Sequence, residues 1–185
     1  LSEHPESSQK FYLQIASKLI KSLYVPRKAK SKPRSGCPVN ISLERIGDRW
    51  SLLIIRDLMV RGYRTFKEFQ ESGEGIATNI LADRLHKLEA HGIIDAETEE
   101  TDARRVNYRL TEKGIDLAPV ILELLIWGAH YEDTAAQCGF ITKMEKNRET
   151  VLAEVRRRWR ERDSTPLIPR VNQIDMDPDS GRRER

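Results

Sequence analysis

Two cysteines in 185 residues, Cys37 and Cys138, are too few and too distant for a disulfide framework, and no C-x-x-C pair is present. This points to a reducing compartment, so the expected location is cytoplasmic. Only four histidines accompany them, which leaves no donor cluster for a metal. No apolar run approaches the roughly 18 residues that span a bilayer. With 33% charged and 38% hydrophobic residues, the composition predicts a polar soluble protein with no membrane partner. Residues 1–25 do not make a signal peptide, because Gln14, Ser17, Lys18 and Lys21 interrupt the apolar positions. Leu at position 1 leaves three readings open: a fragment, a non-standard start or an over-long reading upstream.

Enzyme signatures are missing too. There is no G-x-S-x-G and no P-loop. Gly73-Glu74-Gly75 lacks the third glycine and the preceding strand of a dinucleotide motif, and reads as a turn. His86-Lys87-Leu88-Glu89-Ala90-His91 resembles an inverted zinc-protease signature, but its second histidine falls one residue too far along. The expectation is a protein without catalytic residues, cofactor or metal.

The formal net charge of +3 is uneven. Residues 1–36 carry net +6, residues 37–132 net −5 and residues 133–185 net +2. Attraction of the whole surface to nucleic acid is not supported. Any such function must rest on where a few charges fall.

Ser7 to Tyr24 reads as an amphipathic helix, and Pro26 to Gly36 (PRKAKSKPRSG) as a basic linker. That extension is either a leader or an arm that touches DNA phosphates. From Cys37 the pattern tightens. Pro38 opens a short helix to Ile46, and Asp48 caps an apolar one from Arg49 to Val60 that belongs in a core. Thr65 and Glu68 form a capping box ahead of a short helix carrying Phe66 and Phe69. After the turn Glu71–Gly75, a helix runs from about Thr78 to Ala90. Two strand-like runs follow, Ile93–Thr98 and Val106–Leu110. Thr111 caps a long helix to about Tyr131, bent near Pro119. A last helix is expected over about 143–160, with a disordered tail beyond Asp163. The fold class is mainly α with a small β-hairpin: a winged helix-turn-helix with a long C-terminal dimerisation helix. The domain spans 37–133, flanked by extensions 1–36 and 134–185.

At 100° per residue, Ile80, Leu81, Leu85 and Leu88 share one arc of the helix 78–90 and face the core. Asn79, Ala82, Asp83 and His86 fall opposite, with Thr78 and Lys87 on the margins. A helix that reads a major groove needs this arrangement. Asn pairs bidentately with adenine, and a Thr methyl can meet a thymine methyl. Asp83 fits least well, since it repels phosphate unless it accepts from a cytosine amino group. Arg84 falls on the stripe side and reads as a structural ion pair, with Asp57 or Glu89, or else as a phosphate contact. Arg104 and Arg105 at the hairpin tip are placed to reach a minor groove or phosphates. Arg64, Thr65 and Lys67 open the first helix of the motif and offer charge and N–H groups to phosphate. The acidic residues Glu97, Glu99 and Glu100 must then point away from this face.

Five separated segments match a known pattern in order: Cys37-Pro38-Val39, IGDRWSLLIIRDLMVRGYRTFKEF, GIATNILADRLHKLEAHGII, RRVNYRLTEKG and the helix ending near WGAHYED. Together, over about residues 37–133, they resemble the HxlR family of bacterial winged-helix transcription regulators. The resemblance implies DNA binding near promoters, as repressor or activator, by a homodimer on an inverted repeat, with a nucleoid-associated location. It places the dimer contact on the helix after Cys37 and on the long helix, through Leu117, Ile121, Leu124, Leu125 and Trp127. Some members sense electrophiles or oxidants through a cysteine near the domain start. Cys37 occupies that place, with Lys32 and Arg34 nearby and a helix start ahead, which favour thiolate chemistry; the counter-reading is an unreactive, partly buried thiol. An oxidant or small-molecule effector is thus a candidate partner beside double-stranded DNA. The helix carrying VRRRWRER is expected to pack, with a solvated basic face, rather than bind phosphates. The rival reading of the whole chain is a winged helix for protein interaction without DNA binding, and the acidic core is its best argument.

Overall fold

A computed structural model of the chain describes residues 35–98, 105–134 and 138–167. The expectations for residues 1–34, for Arg104 and for the tail beyond 167 lie outside the described residues. The order is α1 (Pro38–Ile46), α2 (Arg49–Arg56, continued by a π turn Asp57–Arg61), α3 (Phe66–Gln70), α4 (Thr78–Ala90), β1 (Ile94–Thr98) and β2 (Val106–Leu110). Then come α5 (Glu112–Ile115), α6 (Ala118–Tyr131), α7 (Cys138–Lys146) and α8 (Arg148–Glu161). The strands pair antiparallel, from Ile94 opposite Leu110 to Thr98 opposite Val106.

Local sequence explains most boundaries. The Asp48 carboxylate accepts from the N–H groups of Trp50 and Ser51, each at 3.1 Å, and so caps α2. Its apolar sequence buries Ile54, Ile55 and Leu58 in a core completed by Phe69, Leu81, Leu85, Leu88, Ile94 and Ile115. Each such side chain stabilises the fold by about 1.5–3 kcal/mol. The Thr111 hydroxyl accepts from the N–H of Gly114 at 3.0 Å and starts α5.

Two expected helices are divided. The long helix from Thr111 is broken at Asp116–Leu117. Pro119 has no N–H for a helical bond and sits in the first turn of α6, where none is required. The expected helix over 143–160 is α7 and α8, parted at Asn147, whose side-chain amide donates to the Lys143 carbonyl at 2.8 Å. A polar side chain there competes with the helical ladder.

The stretch Glu112–Tyr131 is long and apolar enough to cross a bilayer by length and composition, although no unbroken apolar run reaches that length. It is a packed element of this fold, with Ala118, Ile121, Leu122 and Ile126 buried. Leu122 and Ile126 form a second cluster with Ile141 and Met144 of α7.

The C-terminal segment returns to the winged helix. Val155 is buried in the main core, and the Trp159 indole N–H donates to the Leu110 carbonyl at 2.7 Å. The Leu167 N–H donates to the Val60 carbonyl at 2.7 Å. Gly62 has φ +72, and a Cβ there would lie 1.9 Å from the Ser164 carbonyl oxygen. Only glycine allows both the turn and the approach. Residues 164–167 therefore pack on the winged helix, in place of the disordered tail expected beyond Asp163.

Candidate nucleic-acid interface

The helix-turn-helix is α3, the turn 71–77 and α4. Thr65 and Glu68 make the full capping box: Glu68 accepts from the N–H groups of Arg64 and Thr65 at 2.8 Å each, and the Thr65 hydroxyl takes the Glu68 N–H. Burial raises the Glu68 pKa, but these hydrogen bonds outweigh it and hold the carboxyl below its ordinary value. Behind the turn lies an ionic cluster. Arg56 bridges buried Asp57 at 2.8 Å and Glu74 at 3.0 Å, and Arg61 donates to the Ser72 carbonyl at 3.2 Å. Burial pushes the Asp57 carboxyl up despite its two arginines. The cluster pins the turn, and with it the start of α4.

α4 presents two faces. Leu81, Leu85 and Leu88 are buried and Ile80 is partly so, while Thr78, Asn79, Ala82, Asp83, His86 and Lys87 are exposed. Asp83 is compensated: it accepts from Arg84 at 2.6 Å and Lys87 at 2.8 Å. Arg84 is a structural ion pair, but its cross-helix partner is Asp48 at 2.8 Å rather than Asp57 or Glu89. It joins the cap of α2 to α4. Burial raises the Asp48 pKa, but the Ser51 hydrogen bonds and the Arg84 charge prevail and lower it.

The hairpin is held beside this helix by backbone. The Tyr108 N–H donates to the Arg64 carbonyl at 2.7 Å, Thr65 bridges Asn107, and Tyr108 packs on Phe69 with ring centroids 6.1 Å apart. Arg105 is exposed at the start of β2, and Glu97 of β1 pairs with Arg162 at 3.1 Å. Glu99 and Glu100 lie outside the described residues.

Two of the expected contacts at α3 are corrected. The Arg64 side chain turns inward and donates to the carbonyls of Leu58 and Tyr63, each at 2.7 Å. Both the N–H and the hydroxyl of Thr65 are engaged in its capping box. Lys67 remains exposed, with Glu71 3.8 Å away. The Thr78 hydroxyl accepts from Gln70 at 3.1 Å.

The HxlR-like helix-turn-helix family model matches residues 45–136. The HTH-type transcriptional regulator YdeP of Bacillus subtilis (strain 168) is 37% identical over 98 residues, which are 53% of this chain and 76% of YdeP. The chain belongs to the HxlR-like helix-turn-helix family. YodB, an HTH-type transcriptional regulator of the same strain, is 35% identical over 51% of this chain and 85% of its own. Among solved structures, the candidate transcription factor PA1607 is 41% identical, covers 56% of this chain and 71% of its own, and gives a TM-score of 0.51. This HxlR-type chain is therefore a transcription regulator with a winged helix-turn-helix, not an enzyme.

The structure redistributes the residues expected at a dimer contact of this HxlR-type fold. Ile121 is 6% exposed and belongs to the chain's own core. Leu117 and Leu125 are partly buried against the two clusters. Leu124 and Trp127 stay exposed, joined by Val120 and Tyr131 on the same stripe of α6 and by Val39 and Leu43 on α1. Cys37 is exposed at the N-cap of α1. Sequence reasoning missed the Asp48–Arg84 tie; its only signal was the position of Arg84 on the stripe side of the helix.

Proposed function

We propose that this regulator binds double-stranded DNA sequence-specifically as a homodimer on an inverted repeat, in the cytoplasm. The observation that carries the reading is the outward face of α4. Short polar side chains, Thr78 and Asn79, stand at its N-terminus, anchored by three buried leucines and a pinned turn. Such a face enters a major groove, with Asn79 reading a base edge. His86, Lys87, Lys67 and the wing residues Arg104 and Arg105 supply contacts to the flanking backbone. The charge of Asp83 is already met by Arg84 and Lys87, which removes the main objection to this face.

Val120, Leu124, Trp127 and Tyr131 follow helical spacing on α6, and Trp127 and Tyr131 are 56% and 73% exposed. An apolar stripe of this kind suits a second copy. Two copies of α4 would then lie about 34 Å apart, one turn of DNA. Cys37 is the candidate oxidant-responsive thiol.

Mobility shift with duplex from the gene's own upstream region tests the reading. Binding that weakens as salt rises, and falls on Asn79→Ala, is expected. No binding to any such fragment at low salt would favour a protein-interaction module. Light scattering should show a dimer that Trp127→Glu converts to monomer; a wild-type monomer at tens of micromolar (on the order used for such runs,) removes the dimer. Cys37→Ser should abolish any oxidant response of DNA binding, and a response that survives it clears Cys37.

A further inference from the structure

A cavity of about 180 Å³ opens between β2 and α8. Its floor is apolar, from Leu58, Ile115 and Val155, and Tyr108 and Trp159 give it aromatic walls. Four guanidinium groups border it. Two are neutralised: Arg158 pairs with Glu154 at 2.7 Å and Arg162 with Glu97 at 3.1 Å. The other two are Arg64 and Arg109. Arg64 donates to the carbonyls of Leu58 and Tyr63, and Arg109 to the carbonyl of Trp159, over whose ring it lies at 5.3 Å. Carbonyl oxygens satisfy N–H groups without cancelling charge. Among the described residues, no carboxylate forms an ion pair with either arginine.

Burial lowers the Arg64 pKa and the positive charge of Arg109 lowers it further, against the opposing charges of Glu68 and Asp163. Asp163, which also lines the cleft, and Glu68 offset part of the Arg64 charge without pairing with it, and two like charges in a half-buried cleft still raise the energy of the empty site. An anion between them removes that cost. A guanidinium meets a carboxylate in a planar, two-bond geometry. The apolar floor and aromatic walls favour a ligand with more than a charge. The volume is below the roughly 300 Å³ at which drug-sized sites begin, which limits the body to about one ring.

We propose that this cleft binds a small organic anion, a carboxylate on an aromatic or otherwise apolar body, held by Arg64 and Arg109 with its body against Trp159 and Tyr108. The occupant touches the wing through β2 and the C-terminal segment through α8, so it is placed to act as an effector of DNA binding. That consequence rests on the DNA-binding reading. Ligand binding itself is measured without DNA, so the two fail separately.

Calorimetric titration of the full chain with benzoate, benzamide and inorganic phosphate tests the site. Benzoate should bind saturably and at least tenfold more tightly than benzamide, which lacks the charge, or phosphate, which lacks the ring. Arg109→Gln, and separately Arg64→Gln, should each weaken benzoate at least tenfold, with folding checked by circular dichroism. Arg160→Gln, on the exposed face of α8, should bind benzoate like the wild type. The proposal is overturned by the absence of saturable benzoate binding, or by benzamide or phosphate matching benzoate. It is overturned equally if a folded variant at Arg64 or Arg109 keeps wild-type affinity.

Discussion

α4 and α8 are both amphipathic helices with basic residues, and they use them in opposite ways. On α4 the apolar side is driven into the core, and the outward side carries mostly short neutral groups, with one lysine held by a carboxylate a turn away. On α8 the arginines reach across to other elements. Arg156 meets Asp116 between α5 and α6 at 2.7 Å, and Arg162 just beyond the helix meets Glu97 of the wing. Others saturate neighbours: Glu154 takes both Arg157 and Arg158, which lower its pKa to about 2. The helix with more positive charge thus has most of it paired within the protein. Placement and prior pairing decide which residues face a partner, as the net −5 of residues 37–132 already required.

The largest effect that would break this contrast lies at Trp159. Trp159→Ala removes ring packing, the bond to Leu110 and the stacked Arg109, and should cost about 3 kcal/mol in urea unfolding. A loss under about 1 kcal/mol would show that α8 is an appendage rather than a wall of the core. Next comes Asp48→Ala, which deletes the α2 cap and the Arg84 tie. It should cost about 1–2 kcal/mol and also weaken DNA binding, since Arg84 holds α4; intact DNA affinity would detach the tie from the interface.

Acid sharpens the same point. The folded pKa values of Asp48 and Glu68 lie below the ordinary 3.8 and 4.5. Their stabilisation is therefore complete above those ordinary values and is lost as pH falls through the folded ones. Asp57, raised above 3.8, acts in the opposite sense: its contribution declines as pH rises through the interval up to its folded value. Glu68→Gln should make stability less sensitive to acid below about pH 4.5; an unchanged acid limb would remove Glu68 from the account. The smallest effect is expected at Arg156→Ala. That pair is about half exposed, so stability should change by no more than about 0.5 kcal/mol.

The parts readable in the sequence are those set by neighbours in the chain. The Thr65–Glu68 box, the Asp48 cap, the leucine stripe of α4 and the two strands of the hairpin all follow from residues a few positions apart. What could not be read depends on approach from afar. Arg84 finds Asp48 rather than nearer-seeming acids because α4 crosses the start of α2. Arg64 faces inward because the carbonyls of Leu58 in the π turn and of Tyr63 just after it are there to receive it. Ile121 leaves the expected dimer face because the break before Pro119 sets the rotation of α6. The docking of residues 148–167 had one local sign, the apolar edge Val151, Leu152, Val155 and Trp159, and no sign of the surface it would meet.

The salt dependence of DNA affinity in three proteins separates α4 and the wing from α8 as the DNA-binding face: wild type, Lys87→Ala with Arg105→Ala, and Arg156→Ala with Arg160→Ala. A log–log slope reduced by about 2 is expected in the first double variant, roughly 1 per lost phosphate contact, and an unchanged slope in the second. A slope that falls only for the α8 variant would contradict this and move the DNA to the C-terminal helix.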